Sequence, residues 1–554
     1  MKKSNKGIPH SIVSPMAAAI VGVEVKIGQM VEQGEIIATI ESMKMQTAIE
    51  SPVSGNVIDV NVIVGQTIQS DHEICRIEES IGSSPAIKKT QSKAVDTRNP
   101  LDTLNQELQS SLDSGRTKAV SKRHTKGYRT ARENLHQLCD DGSFVEYGQL
   151  AVAAQRDRMS AEKLKSDTAA DGVITGLATI NRDQFGEHAT QVAVVINDYT
   201  VLAGTQGYFH HRKIDRILDQ AKRSFLPVVM YTEGGGGRPG DTDVKIQIAG
   251  LDVPTFATWA SLSGQVPMIA VNNGYCFAGN AALFGCGDIR IATKSSWIGM
   301  AGPAMIEGGG LGSFSPTDIG PIKIQAENGV VDLVADDESH ATELAKQCLS
   351  YFQGDNEDWQ CPDQLALREM MPADRRYVYD VRSIITSLVD TESFIELTKD
   401  YGCAVITGFA RIEGRAIGLI ANDCRMLGGA VDAEAAEKTA RFITLCDNFD
   451  IPILSLCDSP GFMVGPASEE QAAVRRMAQL FVAGAKLSTP LVTIFLRKGY
   501  GLGAMAMAGG SFHKPIYSAS WPSGEFGGMG LEGAVRLGFK KELEAVADKE
   551  ERET

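Results

Sequence analysis

The chain has little that would hold a secreted or metal-bound fold together. Its ten cysteines are scattered over 554 residues with no CxxC pair, and its nine histidines form no cluster at metal-ligand spacing. That pattern excludes a disulfide framework and a structural zinc site, and it fits a reducing cytoplasm. No uninterrupted run of about 18 apolar residues occurs, and the basic N-terminus MKKSNKGIPHS leads into no apolar signal core, so no membrane partner is expected. Positive charge is also in deficit: 54 Lys plus Arg against 69 Asp plus Glu leave −15, which argues against nucleic acid as the principal partner. A hydrophobic content of 43% with 22% charged residues predicts folded domains, and the length predicts several.

What is present is repetition. Ser14-Pro15 recurs as Ser51-Pro52 and Gly28-Gln29 as Gly65-Gln66, both at an offset of 37. The flanking stretches IVGVEVKIGQMVEQG and VIDVNVIVGQTIQSD alternate in the period-2 manner of half-buried strands. Residues 1–78 therefore read as a small all-β module of two like halves, with Lys44 at the tip of the hairpin joining them. The Ser-, Lys- and Pro-rich residues 79–100 read as a mobile tether. A second repeat is larger: Asn197-Asp198 recurs as Asn422-Asp423, Gly204 as Gly429, Lys213 as Lys438, Pro227 as Pro452 and Gly240 as Gly465, all at an offset of 225. Strands alternating with helix-like stretches in each copy predict two duplicated α/β domains, residues 101–355 and 375–554, divided near Gly354 to Asp374.

Three kinds of residue are candidates for chemistry. Met43 and Met45 flank Lys44, and flexible apolar side chains on a hairpin tip ask for something that packs against them. Two glycine-bearing turns, Tyr275-Cys-Phe-Ala278-Gly279-Asn280 and Tyr500-Gly501-Leu502-Gly503-Ala504, follow strand-like segments in the two copies. Neither these nor Glu233-Gly-Gly-Gly-Gly-Arg238-Pro-Gly240 fits GxxxxGK[ST], or GxGxxG followed by a ribose-binding acid, so backbone oxyanion holes are the better reading than a nucleotide loop. Plain tight turns packing a helix on a sheet are the alternative. His210 and His211 read as surface residues, while Arg212, Lys213, Gly235, Gly236 and Arg238 are candidates for phosphate contact. Cys276 has no placed base and reads as a small buried hydrophobe. No Ser-His-Asp or Cys-His set emerges.

The segment ESMKM, set between the 37-residue halves, resembles the attachment site of the biotinyl domain family. Residues 120 to 545 resemble the carboxyltransferase subunit of biotin-dependent acyl-CoA carboxylases, on KGYRTARE, GSFVE, DYTV, GFARIEG, DSPGFMVG, RKGYG and Trp521-Pro522. The stretch beginning GNAALFGCGDIRIATKSSWIGM is most similar to broad-specificity members of that family. The resemblance implies a biotinyl flattened barrel followed by two crotonase-like domains. It implies biotin on Lys44, recognised through Met43 and Met45, and an acyl-CoA substrate whose thioester oxygen lies on backbone groups of Ala278, Gly279 or Asn280. The biotin oxygen would lie on Leu502, Gly503 or Ala504. It requires no side-chain base, since the α-proton can pass to the released biotin anion. It further implies a biotin carboxylase partner, a biotin protein ligase, and a homo-oligomer, either a dimer or a trimer of dimers. A biotin-dependent decarboxylase feeding a sodium pump and a non-catalytic truncated homologue are the competing expectations. Two departures stand out. The chain ends at Lys549-Glu-Glu-Arg-Glu-Thr554 where family members continue, which predicts a shortened second domain. Met505 stands where propionyl-selective relatives carry an acid, which disfavours propionyl-CoA as the substrate.

Overall fold

A computed structural model describes residues 8–80, 99–244 and 251–546. The chain divides into two compact units, residues 1–97 and 98–554. Most of the expected tether, residues 81–98, and the chain end beyond residue 546 lie outside the described residues.

The first unit shows why the 37-residue repeat exists. Strands Ala18–Val23, Met30–Val31 and Ile36–Ser42 recur at that offset as Gly55–Val60, Thr67–Ile68 and Glu73–Glu79. They interleave into two antiparallel four-stranded sheets whose inward residues, Ile20, Val31, Ile37, Ile40, Ile74 and Ile77 among them, are fully buried. The repeated residues do the same work in each half. Ser14 and Ser51 are buried and donate to the carbonyls of Met16 and Val53 at 2.7 and 2.6 Å. Gly28 and Gly65 both occupy the left-handed region, at φ +88° and +90°, where a side chain is disfavoured.

The second unit is built on two seven-strand sheets of related topology. In each, an antiparallel pair leads into parallel strands: Val173–Thr179 against Gln191–Asn197, then Val228–Tyr231 and Met268–Asn272; and Val405–Ile412 against Arg415–Asn422, then Ile453–Ser459 and Leu491–Tyr500. Parallel neighbours require crossovers, supplied by the helices Tyr208–Ser224 and Ala433–Asn448. The two halves share a core in which Ile196, Val229 and Ile291 of the first join Phe409, Phe442 and Ile453 of the second. A buried carboxylate also ties them: Asp332 accepts from Arg290 of the first half and from Arg441 of the second. Leu367, Met370 and Met371, in the stretch expected to divide the halves, pack against the core of the second.

The 225-residue repeat marks buttresses. Lys213 and Lys438 are both buried, and each ammonium donates to two backbone carbonyls, those of Ala170 and Val173 and those of Thr398 and Tyr401. Burial pushes both down to about 8, with nearby carboxylates opposing the shift. Gly204 and Gly429 lie so close to the loops after the next strand that a Cβ would collide with the carbonyls of Glu233 and Asp458. The same close approach is preserved in both copies.

Candidate active site

Lys44 occupies a two-residue hairpin loop. Ser42 pairs with Met45, and Met43 and Lys44 between them have φ +51° and +65°, the signature of a type I′ turn. Asn and Gly favour that turn; Met and Lys there cost about 1–2 kcal/mol each, a strain that points to function. Met43 is 95% and Met45 72% exposed, and the Lys44 ammonium has no hydrogen-bond or ion-pair partner among the described residues. An exposed primary amine on a rigid tip suits acylation by a carboxyl-bearing prosthetic group.

The first glycine turn is an elbow between the strand Tyr275–Phe277 and the helix Gly279–Gly285. Ala278, at the junction, has φ +53° and ψ −120°, a conformation unfavourable for alanine. Its own N–H donates to the Gly299 carbonyl at 3.1 Å, so Ala278 is removed from the candidate donors. Among the described residues, the N–H groups of Gly279, Asn280 and Ala281, at the helix start, have no protein acceptor. Asn280 acts through its side chain as well: fully buried, its Oδ1 accepts from Gly236 N–H at 2.9 Å, while Nδ2 points to the Gly204 carbonyl at 3.5 Å. The elbow and the glycine-rich loop are thereby clamped together, and a Cβ on Gly236 would come within 2.8 Å of the Ala278 methyl carbon.

This arrangement corrects the expected phosphate contacts. The N–H groups of Gly235 and Gly236 are spent on Ala203 and Asn280. Arg238 is buried in ion pairs with Asp171 and Asp241, and Lys213 is the buttress described above. Arg212 alone of the five is a surface cation with no carboxylate partner among the described residues; it donates to the Tyr208 hydroxyl at 3.5 Å and lies 5.4 Å over that ring. His210 and His211 are buried rather than superficial. Burial and then Arg238 hold both below the usual histidine range, His211 at about 4, so neither is charged near neutrality. Cys276 is buried as expected, and burial raises its thiol to about 12.

The residues suited to phosphates lie elsewhere. A cavity of about 1220 Å³ opens beside the elbow, walled by Tyr128, Tyr199 and Tyr275 and by the helix Thr117–Thr125. Arg116 and Arg123 in its wall are neutralised by Asp198 and Glu233, at 2.7 and 2.6 Å. Among the described residues, Lys118, Lys122 and Lys126 have no carboxylate partner. Their spacing of four puts them on one helix face. The sequence TKAVSKRHTK carries this signal, a lysine at every fourth position.

The second elbow joins the strand Leu491–Tyr500 to the helix Gly501–Met507. Gly501 has φ +58°, and among the described residues the N–H groups of Leu502 and Gly503 have no protein acceptor, whereas that of Ala504, one turn into the helix, belongs to the Tyr500 carbonyl, so Ala504 is removed from the candidate donors. Gly503 packs on Gly461, whose carbonyl carbon would lie 2.5 Å from an added Cβ. Leu502 is 60% exposed. Beneath the elbow the fully buried Asp458 accepts from Tyr379 Oη, Arg497 and the Lys498 ammonium. Burial alone would raise this carboxyl; the two cations hold it below its usual range, and the cluster keeps one excess positive charge.

Each half therefore offers a strained or glycine-bearing elbow with free backbone donors, apt for an oxygen that gains negative charge. Among the described residues no cluster suits a metal ion, and no helix is long and apolar enough to cross a membrane.

Known proteins share this layout. The carboxyl transferase domain family matches residues 122–554, and the biotin-requiring enzyme family matches residues 10–77. The propionyl-CoA carboxylase beta chain of Saccharopolyspora erythraea is 32% identical over 460 residues, 79% of this chain and 82% of the relative. A single-chain, multi-domain long-chain acyl-CoA carboxylase superposes over the whole chain with TM-score 0.79 and 49% identity; this chain spans 52% of its length. Transcarboxylase 12S, a hexamer solved with methylmalonyl-CoA and methylmalonic acid bound, superposes with TM-score 0.71 and 29% identity, covering 83% of this chain and 87% of that one.

Proposed function

The chain belongs to the carboxyl transferase domain family, with a biotin-requiring enzyme domain ahead of it, and on that premise we propose that it moves a carboxyl group from biotin on Lys44 to the α-carbon of an acyl-CoA. The observation that carries the reading is the pair of elbows, one in each duplicated half, with unpartnered donors among the described residues at Gly279 to Ala281 and at Leu502 and Gly503. Carboxylating a thioester at its α-carbon passes through an enolate, and the N–H groups of Gly279 and Asn280 stabilise its oxygen without having to reorganise. Lys44 would hold biotin, which would supply the carboxyl group and a ureido oxygen able to take negative charge. Leu502 and Gly503 present donors to such an oxygen, and the net positive Asp458–Arg497–Lys498 cluster beneath them favours negative charge there.

Lys118, Lys122 and Lys126 bind the CoA phosphates in this reading. The substrate class is an acyl chain longer than propionyl. Three observations support it: the higher identity to the long-chain enzyme, Met505 in place of an acid, and the exposed apolar residues Met300, Met305 and Leu311 just beyond Gly299, the residue that fixes Ala278. Partners follow from the division of labour: a biotin carboxylase to charge the carrier, a biotin protein ligase to load it, and further copies of this chain, as in the related hexamer. A cytoplasmic location suits all three. The domain division 1–78, 101–355 and 375–554 is part of the same reading.

The test is intact mass of protein co-expressed with a biotin ligase, followed by carboxylation of acetyl- to palmitoyl-CoA with an added biotin carboxylase. One biotin adduct, absent in Lys44→Arg, and turnover of the longer substrates are expected. An adduct of lipoate mass, or a loaded protein inert toward every acyl-CoA, would overturn the reading.

A further inference from the structure

Gln206 is buried to 4% exposure in the loop before the helix Tyr208–Ser224, and its backbone is fully engaged. Its N–H donates to the Gly236 carbonyl at 2.8 Å and its carbonyl accepts from Arg238 N–H at 2.9 Å, so the residue is pinned to the glycine-rich loop. Its side chain is not engaged. Nε2 is buried with no partner, and Oε1 takes part in no hydrogen bond among the described residues. The carboxamide sits directly over the first elbow: a Cβ on Gly279 would collide with Oε1. A buried amide left unsatisfied costs about 1–3 kcal/mol, and native structures rarely keep one without a use.

We propose that the Gln206 side chain is a third hydrogen-bond donor to the thioester oxygen of the acyl-CoA, a catalytic group on the acyl-CoA side of the site. A half-turn about its terminal bond exchanges Oε1 for Nε2 over Gly279, at the elbow where the N–H groups of Gly279 and Asn280 are free. Glycine at 279 is then required for two reasons, to admit the substrate oxygen and to leave room for the carboxamide. The donation is weak to a neutral carbonyl and strong to an enolate, so it lowers the barrier more than it tightens substrate binding. This inference rests on the acyl-CoA reading given above.

The experiment compares wild type with Gln206→Leu and the isosteric Gln206→Glu in full-length protein matched by circular dichroism and oligomer size. Two readouts are taken: carboxylation kinetics, and calorimetric affinity for a CoA thioether that carries a nitronate where the enolate would be, set against its neutral thioether. Wild type should bind the nitronate more tightly than the neutral compound. Gln206→Leu should lower kcat about 10- to 100-fold with KM changed less than threefold, and should weaken nitronate binding about tenfold while leaving the neutral thioether unaffected. Gln206→Glu should be as impaired at pH 8, and should recover both properties as the pH falls and a protonated carboxyl can donate again. A purely structural role would show no such recovery. The proposal is overturned if either folded variant keeps kcat and nitronate affinity within twofold of wild type at pH 8, or if Gln206→Glu shows no recovery at low pH. Wild type that binds neither compound would instead bring down the acyl-CoA reading and this inference with it.

Discussion

Deleting a single backbone donor tests the second elbow, and the structure decides which residue permits it. Proline at Gly503 would drive ring atoms onto Gly461, since even a Cβ there lies 2.5 Å from that residue's carbonyl carbon. In the first elbow, proline at position 280 would also sever the Asn280 clamp on Gly236. Leu502 has neither defect. It is the second residue of the helix Gly501–Met507, it is 60% exposed, and its N–H has no protein acceptor among the described residues. Proline in a first helical turn forfeits no helix hydrogen bond, so Leu502→Pro should cost less than about 1 kcal/mol of stability. Loss of one preorganised oxyanion donor costs about 3–4 kcal/mol, which slows turnover about 10²–10³-fold. Leu502→Ala trims the same exposed side chain while keeping the N–H, and it should stay within about threefold of wild type. The assay is carboxyl transfer to acyl-CoA, together with decarboxylation of free carboxybiotin in the absence of acyl-CoA; the proline variant should fail in both. If Leu502→Pro matches Leu502→Ala in both assays with unchanged circular dichroism, the donor assignment at Leu502 is wrong.

Two further outcomes are expected. Lys122→Ala, and more so its combination with Lys118→Ala and Lys126→Ala, should raise KM for acyl-CoA by about three- to tenfold per lysine at low salt and leave kcat nearly unchanged; the effect should shrink as salt screens the contacts, and an unchanged KM would relocate the phosphates. Lys438 ionises near 8 in the fold against 10.5 for a free side chain, so between those pH values the folded state sheds a proton that the unfolded chain keeps, and stability rises with pH. Wild type should therefore gain about 3 kcal/mol on Lys438→Met between pH 8 and 10.5, with no change in the difference below pH 7; thermal unfolding curves that stay parallel across this range would show that the ammonium is not held as described.

The architecture was legible because both duplications preserve residues that only one geometry tolerates. A glycine at φ +88° or +90°, a lysine whose ammonium must satisfy two carbonyls, and a glycine pressed against the next loop cannot drift, so the offsets of 37 and 225 survived around them. The Lys44 tip was legible for the same reason, since a two-residue link between like halves leaves one place for it. The two elbows were legible only to within a residue, and four of the five expected phosphate contacts, Lys213, Gly235, Gly236 and Arg238, proved to be spent on other partners.

That Ala278 N–H is occupied depends on the Gly299 carbonyl, and that Gly235 and Gly236 are spent depends on Ala203 and the Asn280 side chain, none of which is near in sequence. Whether Lys213, Arg238, His210 and His211 face solvent or core was likewise a matter of packing: charged and polar side chains carry no sequence mark of burial when their partners are distant carbonyls and carboxylates. The sequence determined that two elbows with backbone donors and one exposed lysine would form. Tertiary structure alone decided which N–H groups remain free, which cations remain unpaired, and that Gln206 hangs over Gly279, because a hydrogen bond is satisfied by neighbours in space, whatever their order in the chain.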